Sequence, residues 1–353
     1  MHIPDGMLDT KTFTSLWAGG AGGISYASWW IRRHLDSSQL VLMAVLAALI
    51  FGLQMLNFPI AAGTSGHFSG GAAAAIILGY WPATIVMAAV LLVQALFFGD
   101  GGITTLGANI VNLGLVGPGV AVLVYQLGIR LKASRSAKLV FSFIAATLAV
   151  VASAAMVALE LWASGRVPLL PALAAMIGWH TLIGLAEGVI TAGLVAYLLK
   201  VRPQILDSGI QTNAANQPTV ANPANSMQAN SMPANSMQAN SSSSPPKNSS
   251  SSPPKSSLTS VVVVLGLAAL LTAGLSFLAS QAPDGLEFVY FESGLGEDFA
   301  ETGIASNTPF YDYLLPGVSN QLIAGIGAAI IGVVLTAALI LTISILIVRR
   351  RHG

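Results

Sequence analysis

The chain has 353 residues, of which 54% are hydrophobic and only 8% charged, with a mean hydropathy of +0.74 and a formal net charge of +1. Soluble domains carry about 25% charged residues, so this composition belongs to an integral membrane protein. The balanced charge gives no argument for nucleic acid, and the absence of cysteine removes thiolate metal sites, disulfides and Cys nucleophiles together.

The chain opens Met1-His2-Ile3-Pro4-Asp5-Gly6. The first two residues alone can chelate a metal ion. The Met1 amine and the His2 backbone amide close a five-membered ring through the ion, and the amide with the His2 imidazole Nδ1 closes a six-membered one. A bulky second residue should protect Met1 from removal and so keep that amine. Three nitrogens in a plane leave one corner open, and a fourth nitrogen would complete a square, a geometry that suits Ni(II) or Cu(II). The segment does not read as a signal peptide, because it lacks a basic n-region and turns at Pro4-Asp5-Gly6.

Apolar stretches long enough to span a bilayer follow at roughly 12–31, 39–57, 67–80, 82–98, 106–130, 138–162 and 172–199, and two more at 258–280 and 318–348. Trp81-Pro82 predicts a tight turn between the third and fourth. The expected fold is all-α and membrane-integral: a seven-helix transmembrane bundle over 1–202, a disordered cytoplasmic linker over 203–257, and a two-span module with an acidic outer loop over 258–353. With the N-terminus outside, Arg32, Arg33, the Arg130–Lys138 cluster, Lys200, Arg202, the linker lysines and the Arg349–Arg351 tail all fall inside. Only Lys11 and Arg166 lie outside, as the positive-inside rule requires. The linker, with its Ala-Asn-Ser-Met repeats and Pro-Pro-Lys runs, is too polar to bury a core. Its r.m.s. span of about 40 Å would let the last two helices dock anywhere on the first seven.

Of the five histidines, His34 and His352 sit beside arginines as interfacial residues. His67, in Gly66-His67-Phe68-Ser69-Gly70-Gly71, stands among small residues at the outer mouth of the third span, on the same side as the N-terminus. It is either a hydrogen-bonded structural group or the missing fourth nitrogen, and its placement favours the second. Asn109 and Asn112 begin the fifth span near the outer face, where they could hold the N-terminal segment, orient His67, or join helices. Loop residue Asp100 is given no role. His180 and Glu187 share one face of the seventh helix; ionisable groups within a membrane are usually functional, and a structural or interface role is favoured over ligation. The outer loop at about 282–316 carries Asp284, Glu287, Glu292, Glu297, Asp298, Glu301 and Asp312 with no Lys or Arg. It is a solvated acidic loop or an electrostatic funnel for cations.

These residues together resemble a known family. Met1–Gly6, Gly66-His67-Phe68, the Thr105–Asn112 segment and the His180–Glu187 helix are similar to the metal-binding S component of energy-coupling factor transporters, the NikM/CbiM group, over about 1–202. Ala282-Pro283-Asp284-Gly285-Leu286-Glu287 resembles the PDGLE domain of the accessory component NikN. The resemblance implies a natural fusion acting in nickel or cobalt import, with Met1, His2 and His67 as ligands. It implies transported Ni(II) or Co(II) rather than a prosthetic group, and an inner-membrane location with the C-terminus cytoplasmic. It also implies separate partners: a transmembrane coupling subunit and cytoplasmic ATPases. Cobalt members, which supply cobalamin biosynthesis, typically open Met-His-Ile-Met-Glu-Gly; Pro4-Asp5 here stands closer to the nickel pattern. The readings from other classes are a membrane metalloenzyme using His180, Glu187 and the outer acids, and a purely structural polytopic subunit.

Overall fold

Helices dominate the computed structural model, which describes residues 1–35, 37–61, 63–206, 280, 282–292, 294 and 307–349. The N-terminal turn leads into α1 (Thr10–His34), whose first turn is capped by the Asp9 carboxylate accepting from Thr12 N at 2.9 Å. After α2 (Ser37–Gln54), a short antiparallel hairpin pairs β1 (Phe58–Pro59) with β2 (Ser65–Gly66). Next come α3 (Gly71–Leu78) and α4 (Tyr80–Val93), the latter continuing as a π-helical turn over Gln94–Phe98. A loop then delivers α5 (Leu106–Asn109), a π-helical segment over Ile110–Val116 and α6 (Gly117–Leu131) as one rod. The long helices α7 (Arg135–Ala163) and α8 (Leu169–Val201) form a hairpin. In the C-terminal part the structure shows the short turn α9 (Gly285–Glu287) and the long helix α10 (Gln321–Arg349).

Among the described residues, five helices are long and apolar enough to cross a membrane: Tyr80–Phe98, Leu106–Leu131, Arg135–Ala163, Leu169–Val201 and Gln321–Leu346. The expected spans at 12–31, 39–57 and 67–80 are not among them, and the last is cut short. Its helix, α3, has eight residues, about 12 Å of rise. Gly70 (φ 77°) stops it at one end and Gly79 (φ 95°) at the other, both in conformations that glycine adopts most readily. The turn expected at Trp81-Pro82 lies instead at Gly79, and Pro82 sits in the first turn of α4, where a missing N–H costs nothing. The expected eighth span and nearly all of the linker lie outside the described residues, as do Glu297, Asp298 and Glu301.

Close approach of the helices is set by small residues. A Cβ on Gly184 or Gly188 of α8 would stand 2.9 Å from Thr147 O or 2.7 Å from the Phe143 ring of α7. Gly107 lies against Trp17 of α1 in the same way, its Cβ position only 2.4 Å from Trp17 Cα. Helix α10 packs on α2 and α4, with Gly332 admitting the rings of Phe51 and Phe98. The chain just before α10 is anchored to the same place: Phe310 N donates to Phe97 O at 2.8 Å, and Tyr313 stacks on Phe98 with ring centres 5.0 Å apart.

Candidate metal-binding site

The N-terminus is threaded into the protein rather than left in solvent. Met1, Ile3, Met7 and Leu8 are all buried, with Ile3 and Met7 wholly so. Two polar clamps hold the segment between those apolar anchors. Asn109 grips Ile3 from both sides, Oδ1 accepting from Ile3 N at 2.8 Å and Nδ2 donating to Ile3 O at 3.1 Å. The same carbonyl also accepts from Thr105 Oγ1 and Gly102 N. Two residues on, the Asp5 carboxylate accepts from Ile103 N at 3.1 Å and from Thr104 N at 2.7 Å. Gly102 is required there, because a Cβ would lie 2.4 Å from Asp5 N. Arg166, on the α7–α8 turn, donates to Gly6 O at 3.0 Å.

This threading carries the Met1 amine to His67. The amine nitrogen lies 3.2 Å from His67 Nε2, and the imidazoles of His2 and His67 stack with centres 5.0 Å apart and planes 20° apart. Both residues are 9% exposed. Burial, reinforced by the Met1 ammonium and the His2 ring, pushes the His67 pKa down to about 3, so the imidazole is neutral with a free lone pair. His67 is presented by the turn between β2 and α3, and that turn is held from the bundle. Glu187 accepts from Ser69 N at 2.9 Å, from Ser69 Oγ at 2.7 Å and from Gly70 N at 3.2 Å.

Two carboxylates complete the surroundings. Asp100, to which the sequence assigns no role, bonds His2 Nδ1 through Oδ1 at 2.6 Å and accepts from Tyr313 OH through Oδ2. Burial alone would raise its pKa, but the His2 and His67 rings and the Tyr313 hydroxyl together hold it below the usual carboxylate range. Asp284 ion-pairs with the Met1 amine. Burial would raise its pKa, but the Met1 ammonium, the His67 ring and the Glu287 backbone bond together hold it low. Neither contact was legible locally: a carboxylate in a glycine-rich loop has the same signature whether it is solvated or docked.

The remaining expected residues separate. Asn112 Nδ2 donates to Glu160 Oε2 of α7 at 2.8 Å, not to the N-terminal segment. Helix residue Glu160 is a further buried acid with no counterpart among the sequence expectations. His180 Nδ1 bonds Met176 O at 2.8 Å. Its Nε2 is buried, without a hydrogen-bond partner among the described residues. His67, His180, Glu187, Met1 and Asp284 all border one internal cavity of about 10 Å³, room for about one water-sized occupant. Among the described residues, no three His, Asp or Glu side chains converge as a metal-ligand cluster.

Residues 2–205 match the family described as "Cobalt uptake substrate-specific transmembrane region", CbiM. The chain belongs to that family. Residues 259–349 match the PDGLE domain, so a CbiM-type region and a PDGLE domain are fused in one chain. A protein of Archaeoglobus fulgidus named as a putative fused nickel transport protein, NikMN, is 39% identical over 212 residues, 59% of this chain and 68% of its own length. The fused nickel transport protein NikMN of Rhodobacter capsulatus is 38% identical over 221 residues, covering 58% of this chain and 64% of that one. A solved structure described as a truncated transition metal transporter superposes with a TM-score of 0.51 at 33% identity, covering 57% of this chain and 99% of that chain. The CbiM-type region thus has the fold of a metal transporter, and the N-terminal turn and His67 lie within it.

Proposed function

We propose that this protein is the substrate-binding membrane component of an ATP-driven nickel importer, capturing Ni(II) from the outer side through four nitrogens. The ligands are the Met1 amine, the His2 amide, the His2 imidazole and the His67 imidazole. The observation that carries this reading is the 3.2 Å separation of the Met1 amine and His67 Nε2. Adjacent corners of a square whose metal–nitrogen bonds are about 2 Å long lie about 3 Å apart. The amine and a neutral imidazole, from residues 66 positions apart, therefore already stand as neighbouring ligands do.

The rest of the chelate is covalent and needs only that the ring of His2 turn toward the ion. In the structure His2 Nδ1 bonds Asp100, so capture exchanges that partner for the metal. Chelation releases one proton from the ammonium and one from the His2 amide to the outer water, which makes affinity rise with pH. An all-nitrogen plane discriminates against Mg(II) and Ca(II), which take oxygen ligands. The names of the two fused relatives favour nickel, as does Pro4-Asp5. The cobalt counterpart is the alternative, favoured by the family's own description.

The positive-inside pattern orients the N-terminus outward and the α10 end toward the cytoplasm. A transmembrane coupling subunit and cytoplasmic ATPases, as separate chains, would supply the energy that reorients the bundle and releases metal inward. Titration of the detergent-purified protein, with Met1 unblocked, should give a one-to-one endpoint and a yellow, low-spin square-planar absorption band. His2→Ala or His67→Ala should abolish it. Tight binding retained in either variant would sink the assignment.

A further inference from the structure

The PDGLE motif reaches the proposed nitrogen site, and its aspartate is held there from two directions. Ser65, two residues before His67, donates through N to Pro283 O at 2.8 Å and through Oγ to Ala282 O at 2.7 Å. Ser65 and Asp284 pair as a parallel bridge, so the motif adds a strand-like edge to the β1–β2 hairpin. Within the motif, Asp284 Oδ1 accepts from Leu286 N at 2.8 Å and Glu287 N at 2.9 Å, while the Glu287 carboxylate accepts from Asp284 N at 2.9 Å. This reciprocal cap fixes the side chain with one oxygen used in the turn. The other oxygen pairs with the Met1 amine and lies 3.9 Å from His67 Nε2. Gly285 permits the approach, since a Cβ there would stand 2.9 Å from His180 Cε1. A second contact comes from the same C-terminal part, through Tyr313 to Asp100 and on to His2.

Charge balance gives this arrangement a consequence. Before capture, the Met1 ammonium places one positive charge in a site largely shielded from water. On chelation the ammonium proton and the His2 amide proton leave to solvent and a doubly charged ion arrives. The ion less the negative amide nitrogen again leaves one positive charge. A buried charge without a partner is strongly unfavourable; Asp100 answers the His2 ring, and Asp284, fixed by its cap, faces the amine position in both states without moving.

We infer that Asp284 is the counter-ion of the metal site, matching the ammonium before capture and the Ni(II)–amide centre after it, so that the PDGLE domain forms one wall of the site. The inference rests on the four-nitrogen reading above. It is tested by visible-band Ni(II) titration of the full chain carrying Asp284→Asn, Asp284→Ser or Asp312→Asn. Asp284→Asn removes the charge at nearly constant size, and Asp284→Ser keeps a residue able to cap the turn while removing the charge and the oxygen that pairs with Met1. Asp312→Asn removes a carboxylate elsewhere in the same domain, at a positive-φ position that Asn tolerates. Both Asp284 variants should bind Ni(II) about fivefold or more weakly with the band unmoved, while Asp312→Asn binds as the parent does. A smaller loss in the monodisperse Asp284→Ser protein overturns the inference. If instead His2→Ala binds like the parent, the nitrogen site itself is wrong, which is a separate result.

Discussion

Asn109 holds the backbone of Ile3 by both its donor and its acceptor, at 3.1 and 2.8 Å, across 106 residues of chain. The residue gripped is the one directly after His2, so the clamp fixes the direction in which the first two residues enter the site. Asn109→Leu keeps the size and removes both bonds. Ile3 O keeps Thr105 and Gly102, but Ile3 N is left buried and unpaired, a loss worth about 1–3 kcal/mol, so Ni(II) affinity should fall by about tenfold or more. Asn112→Ala, which breaks only the bond to Glu160, should leave affinity near that of the parent. Parallel titrations of the two variants check the distinction.

The Met1 amine is buried against His67 and Asp284. An acetyl group on Met1 would convert that amine into a secondary amide and supply no new amine in its place. Such a protein should fold, because the helices are untouched, but lose the one-to-one Ni(II) band. Equal binding with the acetyl group confirmed by mass spectrometry would place the ligands elsewhere.

How much of this arrangement the residues disclose depends on distance along the chain. The proposed Met1–His2 chelate follows from covalent geometry, and His67 is singled out by membrane side; the fold brings the Met1 amine and His67 together. Asn109 and Asn112 carried one shared expectation, since residues three apart lie on nearly one face of an α-helix. The π-helical segment that starts at Ile110 breaks that periodicity, and Asn112 turns to Glu160 instead. Hydropathy could not see that Gly70 and Gly79 cut the third apolar stretch to eight residues. Asp100 and Asp284 were invisible as site residues because their partners lie 98 and 283 positions away.

His67 also makes the fold sensitive to acid. Its imidazole sits at about 3 in the folded protein, against about 6.5 when exposed. Between those values the unfolded chain binds the proton and the folded chain does not. Stability therefore falls as pH drops through that window, by up to about 1.4 kcal/mol per unit. His67→Gln has no such proton to gain. Its melting temperature should decline less than the parent's between about pH 7 and about pH 5, as thermal unfolding in detergent would show. An identical decline in both proteins would mean that another group controls the acid response.

Glu187 offers a test of support as against ligation. Its carboxylate has only acceptors, and all three donors aimed at it, Ser69 N, Ser69 Oγ and Gly70 N, belong to the turn that presents His67. In Glu187→Gln one oxygen becomes an NH2 group. The Ser69 hydroxyl can rotate to accept from it, but whichever way the amide is set, one backbone N–H faces a donor. An unsatisfied buried N–H costs about 1–3 kcal/mol, so the variant should melt several degrees lower. Ni(II) affinity should drop with it, because the His67 turn loosens. The absorption band should not move, since Glu187 holds the turn and does not touch the ion. A shifted band would instead make Glu187 a ligand and bring the small cavity between His67, His180 and Glu187 into the metal's first resting place.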